Sequence, residues 1–285
     1  MIFLVYTKVS SASSSKEIGV KNMTKAFLFP GQGSQFIGMG KELANQFDSA
    51  RDVFSEVDDA LGEKLSALMF EGDIKELTLT KNAQPAIMAV SIAVLRVLST
   101  NGLDLKAIDL FAGHSLGEYS ALCASEVISL RDTSLILRKR GLAMQKAVPE
   151  GRGSMVAVIG MTSKIVNELI VISNCDSRLI QVANDNDPSQ VVISGEKEEV
   201  QKFTMFLKQK NAKKIIDLPV SAPFHSPLMK EAAFKNSLFS FVALNAMPLG
   251  IRKFLPKPCL TCTVSPIFPS LLIFCSNIIS ITDLT

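Results

Sequence analysis

Only two histidines occur in the 285 residues of this chain. Each lies in a short motif suited to catalysis: His114 in Gly113-His114-Ser115-Leu116-Gly117, and His225 in Pro223-Phe224-His225-Ser226-Pro227. A serine in a G-x-S-x-G frame occupies a tight turn between a strand and a helix, where its hydroxyl projects and the helix N-terminus favours developing negative charge. Such a hydroxyl needs a base to remove its proton. His114 is a poor partner, because adjacent side chains on a strand-to-helix turn diverge. His225 is therefore the expected base for Ser115. Both motifs also have plainer readings: G-x-S-x-G serves as ordinary turn chemistry, and a histidine between two prolines can simply occupy a rigid loop. Company favours the chemical reading, because a glycine turn after another strand and an arginine accompany them.

The elements that must position these groups follow from the hydrophobic pattern. Ala26-Phe27-Leu28-Phe29 runs into Pro30-Gly31-Gln32-Gly33-Ser34-Gln35, the pattern of a buried parallel strand feeding a turn whose backbone N–H groups can face a bound group. Pro85 to Leu98 is apolar on nearly every side and predicts a buried helix. Asp109 to Gly113 predicts a second core strand, Ser115 its turn, and Glu118 to Ser125 the helix behind it. Arg131 to Ala147 has helical spacing, with Leu135, Leu137, Leu142 and Met144 as its apolar face and Arg138, Lys139, Arg140 and Lys146 as its charged one. From Gly153 the elements shorten: strand 155–159, helix 162–172, a strand pair at 179–183 and 190–194 around an Asn/Asp/Pro turn, helix 196–209 and strand 214–218. That β-α-β-β-α-β order predicts a ferredoxin-like insert between Ser115 and His225, with the cleft beside it as the site.

Composition bounds the rest. With 47% apolar residues the chain can bury a full core. An excess of 30 Lys+Arg over 27 Asp+Glu is too small and scattered to imply nucleic acid. Five cysteines, an odd number without a disulfide rhythm, fit a reducing compartment. Cys259-Leu260-Thr261-Cys262 is a lone C-x-x-C, without the second pair that a metal site would need. Residues 1–22 read as a disordered extension: the apolar Met1–Tyr6 is too short for a signal-peptide core, and the segment lacks the arginine of a transit peptide. Residues 235–285 hold five charged residues, five prolines and three of the cysteines with no sustained period. They read as an aberrant tail, and the prolines argue against a membrane span.

Five ordered segments together give the chain its resemblance to a known family. They are Phe29 to Gln35; Gly113 to Glu118; Arg140-Gly141 with Met144-Gln145; Asn184-x-Asn186-x-Pro188 running to Gly195; and Pro223-Phe224-His225-Ser226. Over about residues 24–232 the chain resembles the malonyl-CoA:acyl carrier protein transacylases of bacterial-type fatty acid synthesis. The resemblance implies an α/β fold, an α/β-hydrolase-like core with an inserted ferredoxin-like small domain, divided as 24–148, 149–218 and a return at 219–234. It implies a ping-pong reaction through a malonyl-serine ester, with Ser115 as nucleophile and His225 as general base. Arg140 would bind the malonyl carboxylate, since its planar fork makes two charge-assisted bonds that lysine cannot reproduce; its plainer reading is a solvated helix charge like Arg138. The backbone N–H groups of Gln32 and Leu116 would form the oxyanion hole, and Asn184 and Asn186 would line the cleft. Malonyl-CoA and acyl carrier protein are the implied partners of a cytoplasmic monomer, organellar if the first residues are a transit peptide, with no nucleic acid, membrane, metal or separate cofactor.

The chain departs from the family after His225. The family continues with elements that complete the large domain, including a segment whose backbone carbonyl orients the histidine. Residues 235–285 do not match it, so the C-terminal part of the core reads as divergent or missing. Two other functions stay open: a serine esterase or thioesterase on the same elbow, and a catalytically impaired product. Arg140 separates the first from a transferase, because an esterase for neutral acyl chains gains nothing from a buried cation.

Overall fold

A computed structural model of the chain describes residues 3–8, 23–149, 151–218, 220, 222–230 and 232. The expected aberrant tail, the C-x-x-C and the divergent end of the core lie outside the described residues.

Phe27 and Phe29 set the centre of the large unit. Both are buried and stack on Phe111, with ring centroids 6.0 and 6.3 Å away. Strand β2 (Met23–Phe29) therefore lies parallel to β3 (Leu110–Gly113), paired from Ala26 with Leu110 to Phe29 with Gly113. Strand β1 (Phe3–Lys8) adds antiparallel to the far side of β2. This corrects the expectation of disorder for residues 3–8, because Phe3-Leu4-Val5-Tyr6-Thr7 is a run of strand-favouring residues and β2 offers an edge.

Helices cover this sheet: α1 (Lys41–Gln46), α2 (Asp48–Leu61), α3 (Leu65–Glu71), α4 (Ile74–Thr78), α5 (Thr80–Thr100), α6 (Leu116–Ala124) and α7 (Leu130–Ala147). Among the described residues α5 alone is long and apolar enough to cross a membrane, but 67% of its most apolar stretch is buried inside the protein, as in a core helix. It begins five residues before Pro85, where the sequence pattern predicted its start. Proline within a helix forgoes the bond to the carbonyl four residues back, here Lys81. Helix α7 closes on that same turn, and Gly141 is what lets it: a Cβ there would stand 2.5 Å from Lys81 Cα and 2.6 Å from the Thr80 oxygen.

The faces of α7 differ from the expectation. Leu137 and Met144 are buried, but Leu142 is 49% exposed. Arg138, expected in solvent, has a side chain only 15% exposed, donates to Asn82 Oδ1 at 2.5 Å and pairs with Glu63. Packing against both α2 and α5 narrows the apolar stripe and turns Arg138 into the seam between helices, a distinction that spacing alone does not carry.

The small unit contains β4 (Gly153–Ile159), α8 (Ser163–Ile172), β5 (Ile180–Asp187), β6 (Gln190–Glu196), α9 (Lys197–Lys208) and β7 (Lys214–Asp217). Its sheet has the order β5-β6-β4-β7 with every neighbour antiparallel, the ferredoxin-like arrangement. One face buries Val156, Val158, Ile180 and Ile193 against Val166 and Ile170 of α8 and Phe203 and Leu207 of α9. The opposite face places Met155, Ala157, Ala183 and Val192 against Met144 and Val148, at the end of α7, and against Phe224 and Met229 of the returning chain. The architecture is α/β, a hydrolase-like core carrying a ferredoxin-like insert. The Asn/Asp stretch expected as a turn is instead strand, since β5 continues to Asp187 through irregularities between Val182 and Asn184 and between Asp185 and Asp187.

Gly141→Ala tests the α5–α7 seam. Helix propensity alone would stabilise the protein by about 1 kcal/mol, whereas overpacking costs about 1–3 kcal/mol. With backbone atoms of α5 in the way, the second effect wins, and the urea midpoint should fall. A midpoint at or above that of the parent would show that the seam opens freely.

Candidate active site

Because β2 and β3 are parallel and end level, the turns that leave them emerge side by side, at the C-terminal strand ends where open α/β sheets bind ligands. The His114 N–H continues the ladder, donating to the Phe29 oxygen at 3.0 Å. Ser115 then takes φ 56° and ψ −106°, a strained position for a residue with a side chain, and α6 starts at Leu116. Gly117 makes this elbow feasible, since a Cβ there would lie 2.3 Å from the Phe29 oxygen. The strain is thus held by the tight contact of α6 with the end of β2.

Two side chains meet the Ser115 hydroxyl. His225 Nε2 lies 3.2 Å from Oγ, and Arg140 Nη2 donates to the same oxygen at 3.2 Å. With Arg140 bonded to the oxygen, the hydroxyl proton is directed to the imidazole. Arg140 Nη1 donates to Gln84 Oε1 at 2.6 Å, and its guanidinium carbon lies 5.5 Å from the centre of the Tyr119 ring. Gln84, only 1% exposed, donates to Thr80 Oγ1 at 2.7 Å, and Thr80 donates to Gln32 Oε1 at 2.9 Å. Gln32 completes the chain by donating from Nε2 to the Thr78 oxygen at 3.3 Å. One line of hydrogen bonds thus joins the glycine turn after β2 to Arg140 and, through it, to Ser115.

The five expected site residues Gln32, Ser115, Leu116, Arg140 and His225 all line one cleft that opens to solvent. The Leu116 N–H, first in α6, has no acceptor within its own helix. Neither it nor the Gln32 N–H donates to another group among the described residues. Asn184, buried on β5, directs Nδ2 at His114 Nε2 across 3.2 Å. An amide nitrogen only donates, so the ring accepts there. Asn186 and Gln190 also face the cleft, and Asn186 Oδ1 is buried without a partner among the described residues.

Electrostatics prepares the pair. Burial, reinforced by Arg140 and His114, pushes His225 down to about 4, so the imidazole is a free base at neutral pH. Burial also lowers His114. Glu118, in the first turn of α6, is pushed up to about 7, because its burial outweighs the attraction of Arg140. The arrangement can therefore accept a proton from Ser115, stabilise negative charge on or near its oxygen, and hold an anion beside it.

Gln84 and Thr80 had no motif to announce them, and Glu118 ended the Gly113 to Glu118 motif with no role attached to it. The available signal for Gln84 was a polar residue at the head of an otherwise apolar helix, which only a buried partner would justify. Asn184 and Asn186 did belong to a motif, but their role depended on where β5 bends. Among the described residues no cluster of three or more His, Cys, Asp and Glu side chains could hold a metal.

Comparisons with known proteins give the chain a family. Residues 26–247 match the family described as the acyl transferase domain. Over 210 residues the chain is 50% identical to the malonyl CoA-acyl carrier protein transacylase of Bacillus subtilis strain 168, covering 74% of this chain and 65% of that protein. It is 43% identical to the transacylase of the same name from Salmonella typhimurium, covering 74% and 67%. The chain thus spans about two thirds of the length of these curated relatives. Among solved structures, the acyl-carrier-protein-S-malonyltransferase of Bartonella henselae superposes with TM-score 0.71 at 55% identity, over 77% of this chain and 69% of that one. A malonyl-transacylase in complex with its type II PKS acyl-carrier protein superposes with TM-score 0.71 at 40% identity, over 77% and 69%.

The two shifted groups set opposite slopes of stability against pH. Glu118 rises from 4.5 to about 7 on folding, so the stability it contributes is present below pH 4.5 and lost as pH climbs through 7. His225 falls from 6.5 to about 4, so its contribution is present above pH 6.5 and lost as pH drops through 4. Between pH 4.5 and 6.5 the two oppose each other. Glu118→Gln removes the first slope, and its urea midpoint should climb with pH across that window more steeply than the parent's. Matching profiles for parent and variant would refute the burial of a protonated Glu118.

Proposed function

This chain belongs to the acyl transferase domain family, and from that premise we propose that it moves a malonyl group from malonyl-CoA to the phosphopantetheine thiol of acyl carrier protein through a malonyl ester on Ser115. The convergence of His225 and Arg140 on one serine oxygen, each at 3.2 Å, is the observation that carries this reading. The relatives named as malonyl transacylases, and the solved complex of one with its carrier protein, support it.

In the proposed first half-reaction His225 Nε2 takes the Ser115 proton as Oγ bonds to the thioester carbonyl carbon. The tetrahedral oxyanion turns to the N–H groups of Gln32 and Leu116; one such donor contributes about 2.7–4 kcal/mol in comparable sites. Collapse breaks the carbon–sulfur bond, and the imidazolium returns its proton to the coenzyme A thiolate. In the second half the carrier's thiol gives its proton to His225 and attacks the ester, releasing Ser115, which recovers its hydrogen. Arg140 spends one N–H on Gln84 and one on Ser115, which leaves three of its five donors for the malonyl carboxylate.

The reading needs no resident metal or cofactor, because serine, imidazole and thioester supply nucleophile, base and leaving group. It places a monomer in the cytoplasm, in keeping with free thiols at Cys123 and Cys175. A serine esterase would use the same Ser115–His225 pair, but a guanidinium beside the nucleophile serves an acyl group that carries its own anion.

Mass spectrometry after brief mixing with malonyl-CoA tests the proposal. The parent should carry a malonyl group on Ser115, and Ser115→Ala should carry none. Arg140→Ala should slow malonyl loading by on the order of 100-fold while barely changing acetyl loading, and Arg140→Lys should recover only part. Acetyl loading of the parent as fast as malonyl would favour the esterase, and absence of any adduct would favour an impaired product.

A further inference from the structure

His225 sits on a loop that must be held. Its backbone has φ 53°, in the left-handed region where a residue with a side chain is strained by about 1–2 kcal/mol. Within the loop, Ser226 Oγ donates to the Pro223 oxygen at 2.7 Å and the Phe224 N–H to the Ala222 oxygen at 2.9 Å. These bonds shape the loop but tie it to nothing else. Among the described residues, besides the Ser115 hydroxyl at its imidazole, the hydrogen bond that reaches His225 from outside the loop is at its backbone and comes from the small unit, where Gln181 Nε2 on β5 donates to the His225 carbonyl.

Strand β5 is built to make this contact. Ile180 and Val182 point into the core beneath α8 and α9, which leaves Gln181 on the cleft side of the sheet. Strict alternation would then return residue 184 to the core. The irregularity between Val182 and Asn184 changes that: Ala183 packs on the cleft-side cluster and Asn184 reaches His114. One strand thus grips the loop that carries the imidazole and, one bulge later, the turn that carries the hydroxyl.

We propose that Gln181 is a positioning residue for acyl transfer: its bond to the His225 carbonyl fixes the imidazole against Ser115, with β5 as the ruler between the two through its second contact at Asn184. The inference rests on the Ser115–His225 pair of the proposed reaction, and its test uses a probe that does not depend on malonyl. Gln181 leaves the chemistry alone, because its side chain is exposed and bonded to backbone rather than to substrate.

Gln181→Met keeps the length and loses the donor, whereas Gln181→Lys keeps an N–H donor. The rate of Ser115 phosphonylation by a fluorophosphonate reads the serine–histidine pair directly, and single-turnover loading from malonyl-CoA reads the reaction. Gln181→Met should slow both by about tenfold, with the KM for malonyl-CoA and the thermal midpoint unchanged. Its acid limb should move from about 4 toward 6.5, as the loosened imidazole gains water and retreats from Arg140 on α7 and His114 on the elbow. Gln181→Lys should recover most of the rate. Parent-like rates and acid limb in Gln181→Met would overturn the proposal. So would equal losses of rate and thermal midpoint in both variants, which would make Gln181 merely structural. If the parent reacts with the fluorophosphonate but not with malonyl-CoA, the transfer reading fails, and the phosphonylation rates still decide the role of Gln181.

Discussion

The parallel pairing of β2 with β3, level at Phe29 and Gly113, is the constraint on which the site depends. It places the glycine turn and the serine elbow at one end of the sheet, so that backbone N–H groups from both can face the same point. The Phe27–Phe29–Phe111 stack beneath keeps the two strands in register, because a slip of one residue would turn those rings to the opposite face. Everything added later in the chain is aimed at that point. Helix α7 supplies the guanidinium, and the returning loop supplies the imidazole.

Sequence reasoning reached the parts of this arrangement that local chemistry encodes. Two histidines and one elbow serine leave few pairings, and the alternating apolar pattern from Met155 to Ile215 announces the order of the small unit. The parts that escaped are set by packing between segments distant in sequence. Arg138 and Arg140 stand two residues apart on α7, and spacing reads both as surface charge. Only the approach of α5, permitted at Gly141, shows that Arg138 closes a seam with Glu63 and Asn82 while Arg140 enters the cleft. Asn184 and Asn186 likewise look like turn residues until the bulges of β5 carry them into the strand and toward the cleft.

The small unit is more than a cover for the cleft. Its sheet is apolar on both faces, one for its own helices and one for the end of α7 and the histidine loop. Burying the second face fixes the small unit against both elements that contribute charged or titrating side chains. A looser junction would let water reach His225 and raise its basicity, so that more of it would be protonated near neutral pH and unable to accept the serine proton. The depressed imidazole is thus a consequence of domain packing as much as of its immediate neighbours.

The treatment of Arg140 completes the logic. A buried guanidinium needs hydrogen-bond acceptors, and the simplest would be a carboxylate. A carboxylate in its fork would neutralise the cation and occupy the donors that an acyl carboxylate must find. The site uses an amide instead: Gln84 Oε1 orients Nη1 without cancelling the charge, and Thr80 and Gln32 hold Gln84 in that orientation. Glu118, a carboxyl that feels the charge of Arg140, is buried enough to sit near 7, so a large share of it is neutral near neutral pH. These two neighbours leave the cation unquenched, Gln84 by its chemistry and Glu118 by its burial. A positive charge left short of a partner in a half-closed cleft is an affinity for an anion, and it lies within reach of the serine that would carry one.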